Sequence, residues 1–178
     1  MKTYLKYGGA MAGGGFLITL VLFMVGLHSD PAKLTSAQWI QGCLGLAVGI
    51  GCVVLGTKEL RAATPVTEEF GYGKALGAGV MITLFSALIG LVTNALYMQV
   101  INPGMTDIIM QGTIAKWEAA GISSSQIEKM ESAMRTMMSP PIMAVSSFLS
   151  GMFFGTIISL ITAAFLKRAA IEDLSAAS

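Results

Sequence analysis

The chain has 178 residues, of which 54% are hydrophobic and 12% charged, with a mean hydropathy of +0.71 and a net charge of +1. About a quarter of the residues of a typical soluble domain are charged. This chain has too few charged residues to form a water-exposed surface of that kind, which indicates that lipid surrounds most of it. The net charge of +1 also excludes a nucleic-acid partner, which would require a dense basic face.

Four apolar stretches without a charged residue predict four transmembrane helices. They run over residues 8–27, 39–57, 75–101 and 141–166. Each can cross a hydrocarbon layer about 30 Å thick at about 1.5 Å per helical residue. The first exceeds the usual apolar core of a signal peptide, about 7–15 residues, and is interpreted as a retained helix. The sequence thus predicts an all-α integral membrane protein, with residues 1–178 as one domain in the lipid bilayer.

Basic residues near the ends of the spans predict the orientation of the chain. Of the 11 Lys and Arg residues, seven share one side of a four-span topology: Lys2, Lys6, Lys58, Arg61, Lys74, Lys167 and Arg168. The others lie mostly in one long loop, where they influence orientation less. The positive-inside rule therefore places both termini in the cytoplasm and predicts a multi-pass protein of a bacterial inner membrane.

The connection between spans three and four, residues 102–140, predicts an extracytoplasmic hairpin of two amphipathic helices. Thr106 is the expected cap of the first helix, and Gly121 is expected to end it. Ser125 and Glu128 match the capping-box pattern at the start of the second helix.

A methionine-rich face on this hairpin is a candidate docking surface. It consists of Trp117, Met130, Met134 and Met137, with the three methionines recurring at helical intervals. Methionine side chains adapt to varied partner surfaces, which favours a docking role. The alternative is that this face lies on the membrane surface or on the end of the bundle itself.

Small residues form stripes along two of the spans and predict close helix packing. The candidate packing interface consists of Gly42, Gly45, Gly49 and Gly56 in the second span and Ser147, Gly151, Gly155 and Ser159 in the fourth. The first stripe has heptad spacing, which favours a left-handed crossing, and the second steps by four, which favours a right-handed one. The alternative is that such a stripe forms the wall of a pore.

The beginnings of spans one and three are similar to each other. Residues 7–14 align with residues 72–79 at a fixed offset, and both segments enter a span from the predicted cytoplasmic side. An internal duplication predicts two parallel helical hairpins related by an axis along the membrane normal. The alternative is a chance match between segments rich in glycine and alanine.

Reactive side chains are too scattered to predict an active site. His28, the one histidine, adjoins Ser29 and Asp30 in an ordinary interfacial loop, and three adjacent residues do not form a catalytic triad. Cys43 and Cys52 lie on opposite faces of one helix and cannot share a metal. No catalytic, cofactor-binding or metal-ligating residue is predicted, and the protein is expected not to be an enzyme.

Several short segments are similar to those of a known family. They are residues 1–8 (MKTYLKYG), 69–76 (EFGYGKAL), 121–128 (GISSSQIE), 138–140 (MSP) and 165–168 (FLKR). With these segments the chain resembles, over nearly its whole length, a bacterial membrane-protein family catalogued as domain of unknown function 4199. The resemblance implies four spans with an extracytoplasmic helical insert between spans three and four. It implies no activity and no functional residues.

Two functions remain open at this point. The leading hypothesis is a non-catalytic accessory or structural subunit that packs as a homo-oligomer or within a larger membrane complex. The alternative is a small channel or carrier for a neutral solute or an ion, with a path near Asn94 in the third span. For Asn94 itself, an interfacial position or a structural hydrogen bond is favoured over contact with a substrate.

Overall fold

The computed structural model describes residues 1–170, most of which lie in six α-helices. These are α1 Lys2–Met24, α2 Leu34–Ala63, α3 Tyr72–Leu96, α4 Met105–Ala119, α5 Ser124–Met137 and α6 Pro140–Leu166. Within this range, α1, α2, α3 and α6 are long and apolar enough to cross a membrane. The predicted all-α class with four long apolar helices is confirmed. Residues 171–178, which end the predicted domain and include the predicted cytoplasmic carboxyl terminus, lie outside the described residues.

Glycines with positive φ end two of the helices. Gly26 has a φ of 77° and Gly121 a φ of 76°, a conformation that favours glycine. After each glycine, the next backbone N–H donates to the carbonyl five residues earlier, at 2.9 and 3.1 Å, which is the Schellman arrangement. The prediction that Gly121 ends the first insert helix is confirmed. The first span ends at Met24, before the predicted residue 27, because of the turn at Gly26.

A π-helical segment, Tyr97–Ile101, extends α3 and leads into the insert. The N–H of Asn102 donates to the Tyr97 carbonyl at 2.7 Å, a bond that spans five residues instead of four. α4 then begins at Met105 after Gly104, with no side-chain cap. The prediction that Thr106 caps this helix is wrong, because the backbone is already helical one residue before it.

The start of α5 also differs from the sequence prediction. Its capping box pairs Ser123 with Gln126, whose side-chain oxygen accepts the Ser123 N–H at 3.4 Å. The predicted pair of Ser125 and Glu128 is wrong, although both pairs match the same pattern. The backbone leaving the turn at Gly121 is extended at Ser123, with φ −66° and ψ 149°, so the helix begins directly afterwards.

The end of the bundle that carries Lys6, Lys74 and Arg168, called the basic end, is held by the chain after α6. Arg168 and Phe70 exchange two backbone hydrogen bonds, at 3.0 and 2.8 Å, in an antiparallel bridge. The Arg168 guanidinium also donates to the carbonyls of Thr64 and Pro65, at 3.0 and 2.8 Å. One arginine thus fixes the α2–α3 connection against the end of α6. The opposite end, which carries α4 and α5, is called the insert end.

α3 is the central helix and contacts α1, α2 and α6. Its residues Ile82 and Thr83 are at most 1% exposed, and so are Val53 of α2 and Ser159 of α6, both of which lie against Gly79 of α3. Lipid tails are as apolar as aliphatic side chains, so burial of apolar surface does not draw the helices together. The bundle therefore depends on dispersion contacts made at short range.

Small residues bring α3 and α6 together along their length. From the basic end, the facing pairs are Gly79 with Ser159, Thr83 with Gly155, Ala87 with Gly151 and Asn94 with Ser147. The two buried hydroxyl groups bond within their own helices: Thr83 to the Gly79 carbonyl at 3.0 Å and Ser159 to the Gly155 carbonyl at 2.6 Å. These bonds satisfy the hydroxyl groups and leave their small side chains free to pack.

The α3–α6 contact predicts a sharp difference between two glycines on one face of α6. A methyl group at Gly155 would collide with Thr83, whereas a methyl group at Gly151 would lie 3.9 Å from the Ala87 Cβ, an ordinary contact. We expect Gly155→Ala to destabilise the protein by about 1–3 kcal/mol, the usual effect of overpacking. Gly151→Ala, the matched control, should be nearly neutral. Thermal unfolding in detergent measures both, and equal stability of the two variants would contradict the α3–α6 register.

Candidate functional site

The structure divides the eight predicted small-residue positions into two groups. Gly49, Gly56, Gly155 and Ser159 are buried against neighbouring helices of the same chain. Gly42, Gly45, Ser147 and Gly151, towards the insert end, are more open. A Cβ added at Gly42 or Gly45 would meet no atom within 4 Å. Half of the predicted positions thus pack helices of the same chain together, whereas Gly42 and Gly45 of α2 contact no other described helix at the Cβ position.

The predicted docking face is only partly accessible. Met137 is 68% exposed and Met130 is also exposed, whereas Trp117 and Met134 are half-buried. Ile127, on the same helix, is buried. The accessible part of this face is therefore smaller than the sequence pattern indicates.

His28, Tyr97 and Asn102 form a buried polar cluster at the insert end. His28 is only 3% exposed, and its Nδ1 lies 2.7 Å from the Tyr97 hydroxyl. Asn102 Nδ2 donates to the same hydroxyl oxygen at 3.2 Å and to the His28 carbonyl at 3.4 Å. The cluster joins the α1–α2 connection to the end of α3. His28 lies in the connection between α1 and α2, where a loop was predicted, but its burial was not predicted, because it comes from contacts with Tyr97 and Asn102 of the distant π-helical segment and its end.

One arrangement of protons satisfies all three side chains. The Tyr97 oxygen accepts from Asn102, and its O–H donates to His28 Nδ1 when the imidazole carries its proton on Nε2. His28 is then neutral, with its proton on Nε2. Burial supports the same state, because it lowers the pKa of the His28 ring. In this arrangement the imidazole accepts the hydrogen bond from Tyr97.

Aromatic contacts extend this cluster into α1. The Tyr97 ring meets Phe23 edge-on, with the centroids 6.1 Å apart, and meets the His28 ring at 5.8 Å. Edge-to-face contacts of this kind each contribute about 0.5–1.5 kcal/mol beyond area burial. Tyr97 is therefore the central residue of the insert end, since it packs on α1 and receives both polar partners.

A second feature of the insert end is a cavity of about 270 Å³ between the end of α3 and the start of α6. Its polar lining consists of Asn94, Gln99 and Thr106, and three of its apolar residues are Met98, Met138 and Met143. No charged residue lines it among those described. Asn94 reaches Ser147 only at 3.5 Å, the outer limit of a hydrogen bond. Most of the hydrogen-bonding capacity of this amide is therefore unused among the described residues, and Asn94 is one of the residues that line the cavity.

A larger and more open cleft, of about 570 Å³, lies at the basic end. Leu60, Phe70 and Met81 contribute apolar surface, and Lys74 and Glu68 lie at its edge, 3.7 Å apart. Both charged side chains are more than half exposed, so their ion pair contributes little to stability.

Sequence reasoning did not find the polar cluster. His28 and Tyr97 are 69 residues apart, and no local pattern connects them. The one available signal was the pair of Tyr97 and Asn102, five residues apart at the end of a span and directly before Pro103. Polar groups at the end of a predicted membrane helix require partners, which is reason to search for them.

A comparison with known families identifies the family of this chain. The model of the family described as "Protein of unknown function (DUF4199)" matches residues 6–168. The chain belongs to this family. No curated protein and no solved structure matches it. The family assignment and the four long apolar helices make the chain a member of a membrane-protein family of unknown function.

The buried His28 predicts that the insert end loosens in acid. Because burial lowers the His28 pKa below its usual value of about 6.5, the opened state binds the proton more readily than the closed state. The stability of the cluster is thus fully present above about pH 6.5 and is lost as the pH falls through the lower pKa of the folded state. The protection factors of the Tyr97 and Asn102 amides, which are exchange rates corrected for the intrinsic effect of pH, should fall over this range. In a His28→Gln variant the protection factors should not change with pH, and the same fall in that variant would contradict this role of His28.

Proposed function

We propose that the chain is a non-catalytic membrane subunit that packs, through the uncovered part of α2, against a second copy of itself or a larger membrane complex. The observation that carries this proposal is the open space at Gly42 and Gly45. Gly42 lies seven residues before Gly49 and so shares its helix face. That face is filled at Gly49 by Met11 and Ile158, but it is empty at Gly42.

An empty small-residue surface in lipid is suited to another helix. Small residues let two backbones approach closely, which is the main source of helix association in membranes. α1 and α3 pack in this way inside the chain, where Gly8 lies against Phe85. At Gly42 the same geometry has no partner among residues 1–170. A second chain that placed a helix there would gain the same dispersion contacts.

The absence of catalysis is part of this proposal. His28 is engaged with Tyr97 and Asn102 in a buried contact that holds two parts of the backbone together. A histidine with this role is poorly placed to exchange protons with a substrate. This arrangement supports a structural function for the residue.

The packing of the central layer favours the subunit hypothesis over a channel or carrier. The two cavities lie at opposite ends of the bundle. Between them, Ile82, Thr83 and Val53 are at most 1% exposed. A path through a single chain near Asn94 would require this layer to separate.

We further propose the predicted topology, with the basic end in the cytoplasm of a bacterium and the insert helices outside. The seven basic residues of that end support it.

The contacts also support two related hairpins. Tyr7 of α1 donates to Glu59 near the end of α2, and the aligned Tyr72 of α3 donates to the Leu160 carbonyl near the end of α6.

The subunit proposal predicts that native size depends on one face of α2. Gly42→Leu should leave the fold intact, because the site is open, and should lower the native mass in mild detergent towards that of one chain. Gly51→Leu is the matched control, since Gly51 also has open space but lies nine residues away, on the opposite face.

Native mass spectrometry of the wild-type protein and both variants, with identification of co-purifying proteins, measures the effect. A wild-type protein that is monomeric and has no stoichiometric partner would overturn the proposal. Equal loss of assembly in both variants would place the contact elsewhere.

The topology predicts opposite accessibility of two exposed positions. In a background of Cys43→Ser and Cys52→Ser, a membrane-impermeant thiol reagent added to intact cells should label Ser132→Cys in α5. It should label Glu69→Cys, in the α2–α3 connection, only after lysis. The reverse pattern would contradict the proposed orientation.

A further inference from the structure

We infer that the insert-end cavity is a binding site for an uncharged amphiphile with a hydroxyl- or carbonyl-bearing head. Asn94, Gln99 and Thr106 would hold the head, and the apolar chain would extend along α3 and α6 into the lipid. This inference does not rest on the proposed subunit role, since it concerns a cavity on α3 and α6, away from the open glycines of α2.

The polar lining has unused hydrogen-bonding capacity. A carboxamide has two N–H donors and an acceptor oxygen, and Asn94 has only one long contact, to Ser147 at 3.5 Å. Asn94 also lies within an apolar helix long enough to cross a membrane, where an unpaired amide is unfavourable. Gln99 and Thr106 line the same cavity. A ligand with a hydroxyl or carbonyl group would satisfy these groups together.

The charge of the lining selects the class of head group. The residues around the cavity are apolar or neutral. The nearest charged residue in sequence is Asp107, which is turned towards Arg135 of α5 at 3.8 Å. A phosphate or carboxylate head would therefore be desolvated with no cation beside it, which is strongly unfavourable. The lining thus disfavours anionic lipids and favours uncharged ones.

The apolar walls suit a flexible chain. Met98, Met138 and Met143 contribute side chains that adjust their shape to a ligand. Ala95, which lines the cavity on α3, is exposed, so this edge of the cavity opens onto the outer face of the bundle. A volume of about 270 Å³ accommodates a head and the first part of a chain, while the rest remains in the bilayer.

Native mass spectrometry with two matched lipids tests this inference. The probe is monooleoylglycerol, which has hydroxyl groups and an ester carbonyl. The comparison lipid is oleoyl lysophosphatidylglycerol, which has the same chain and an anionic head. We expect one monooleoylglycerol per chain, bound at least about ten-fold more tightly than the anionic lipid, because an uncompensated buried charge is unfavourable.

Variants then locate the site. Asn94→Leu should weaken monooleoylglycerol binding by about ten-fold, as expected for lost hydrogen bonds in a low-dielectric site. Ala144→Trp should block binding by filling the cavity. Val92→Trp is the control, because Val92 is 70% exposed on α3 and does not line the cavity.

Three results would overturn the inference. They are equal affinity for the two lipids, unchanged binding in both Asn94→Leu and Ala144→Trp, and equal loss of binding in Val92→Trp. Should Ala144→Trp fail to fold, Gln99→Leu replaces it, since Gln99 is exposed and its substitution leaves the helix packing intact. The same spectra give the native mass, which tests the subunit proposal. The outcome of that test does not depend on whether the lipid binds.

Discussion

The structure depends on how closely α3 and α6 can approach each other inside lipid. The bilayer supplies no hydrophobic driving force between helices, so stability comes from atoms in direct contact. Gly79 and Gly155 make this possible, because each meets the side chain of a small residue on the other helix. α1 and α2 then pack on the remaining sides of α3, and the buried layer around Ile82 follows from that arrangement. A bulkier residue at Gly155 would separate the two helices that position everything else.

The two ends of the bundle are closed by different chemistry. At the basic end, one arginine binds backbone carbonyls of the α2–α3 connection and forms a bridge with Phe70. At the insert end, a neutral histidine and an asparagine hold a tyrosine that also packs on α1. The basic end is thus held by a permanently charged group, whereas the insert end is held by a histidine whose pKa is lowered by burial. The insert end is therefore the part of the molecule more sensitive to its surroundings.

Sequence reasoning succeeded where the signal was local and failed where it was not. The four apolar stretches and the helix end at Gly121 followed from composition and from one glycine. The capping box was misplaced because Ser123 and Ser125 head equivalent patterns, and only the path of the backbone after Gly121 distinguishes them. The stripes marked residues suited to close packing, but the sequence did not indicate which of them would face a helix of the same chain. The sequence did not predict the cavity near Asn94 either, because the residues that line it come from α3, α4 and α6, which are far apart in the chain.

The sequence by itself determined that this is a membrane protein of the DUF4199 family with four long apolar helices. These properties depend on the transfer of side chains from water to lipid, which is nearly additive along the chain and needs no knowledge of the fold. Only the tertiary structure decided that His28 is buried beneath Tyr97, that Gly155 meets Thr83 while Gly42 meets nothing, and that Asn94 lines a cavity. Those outcomes depend on distances between residues far apart in the chain, and such distances are determined only when the helices pack.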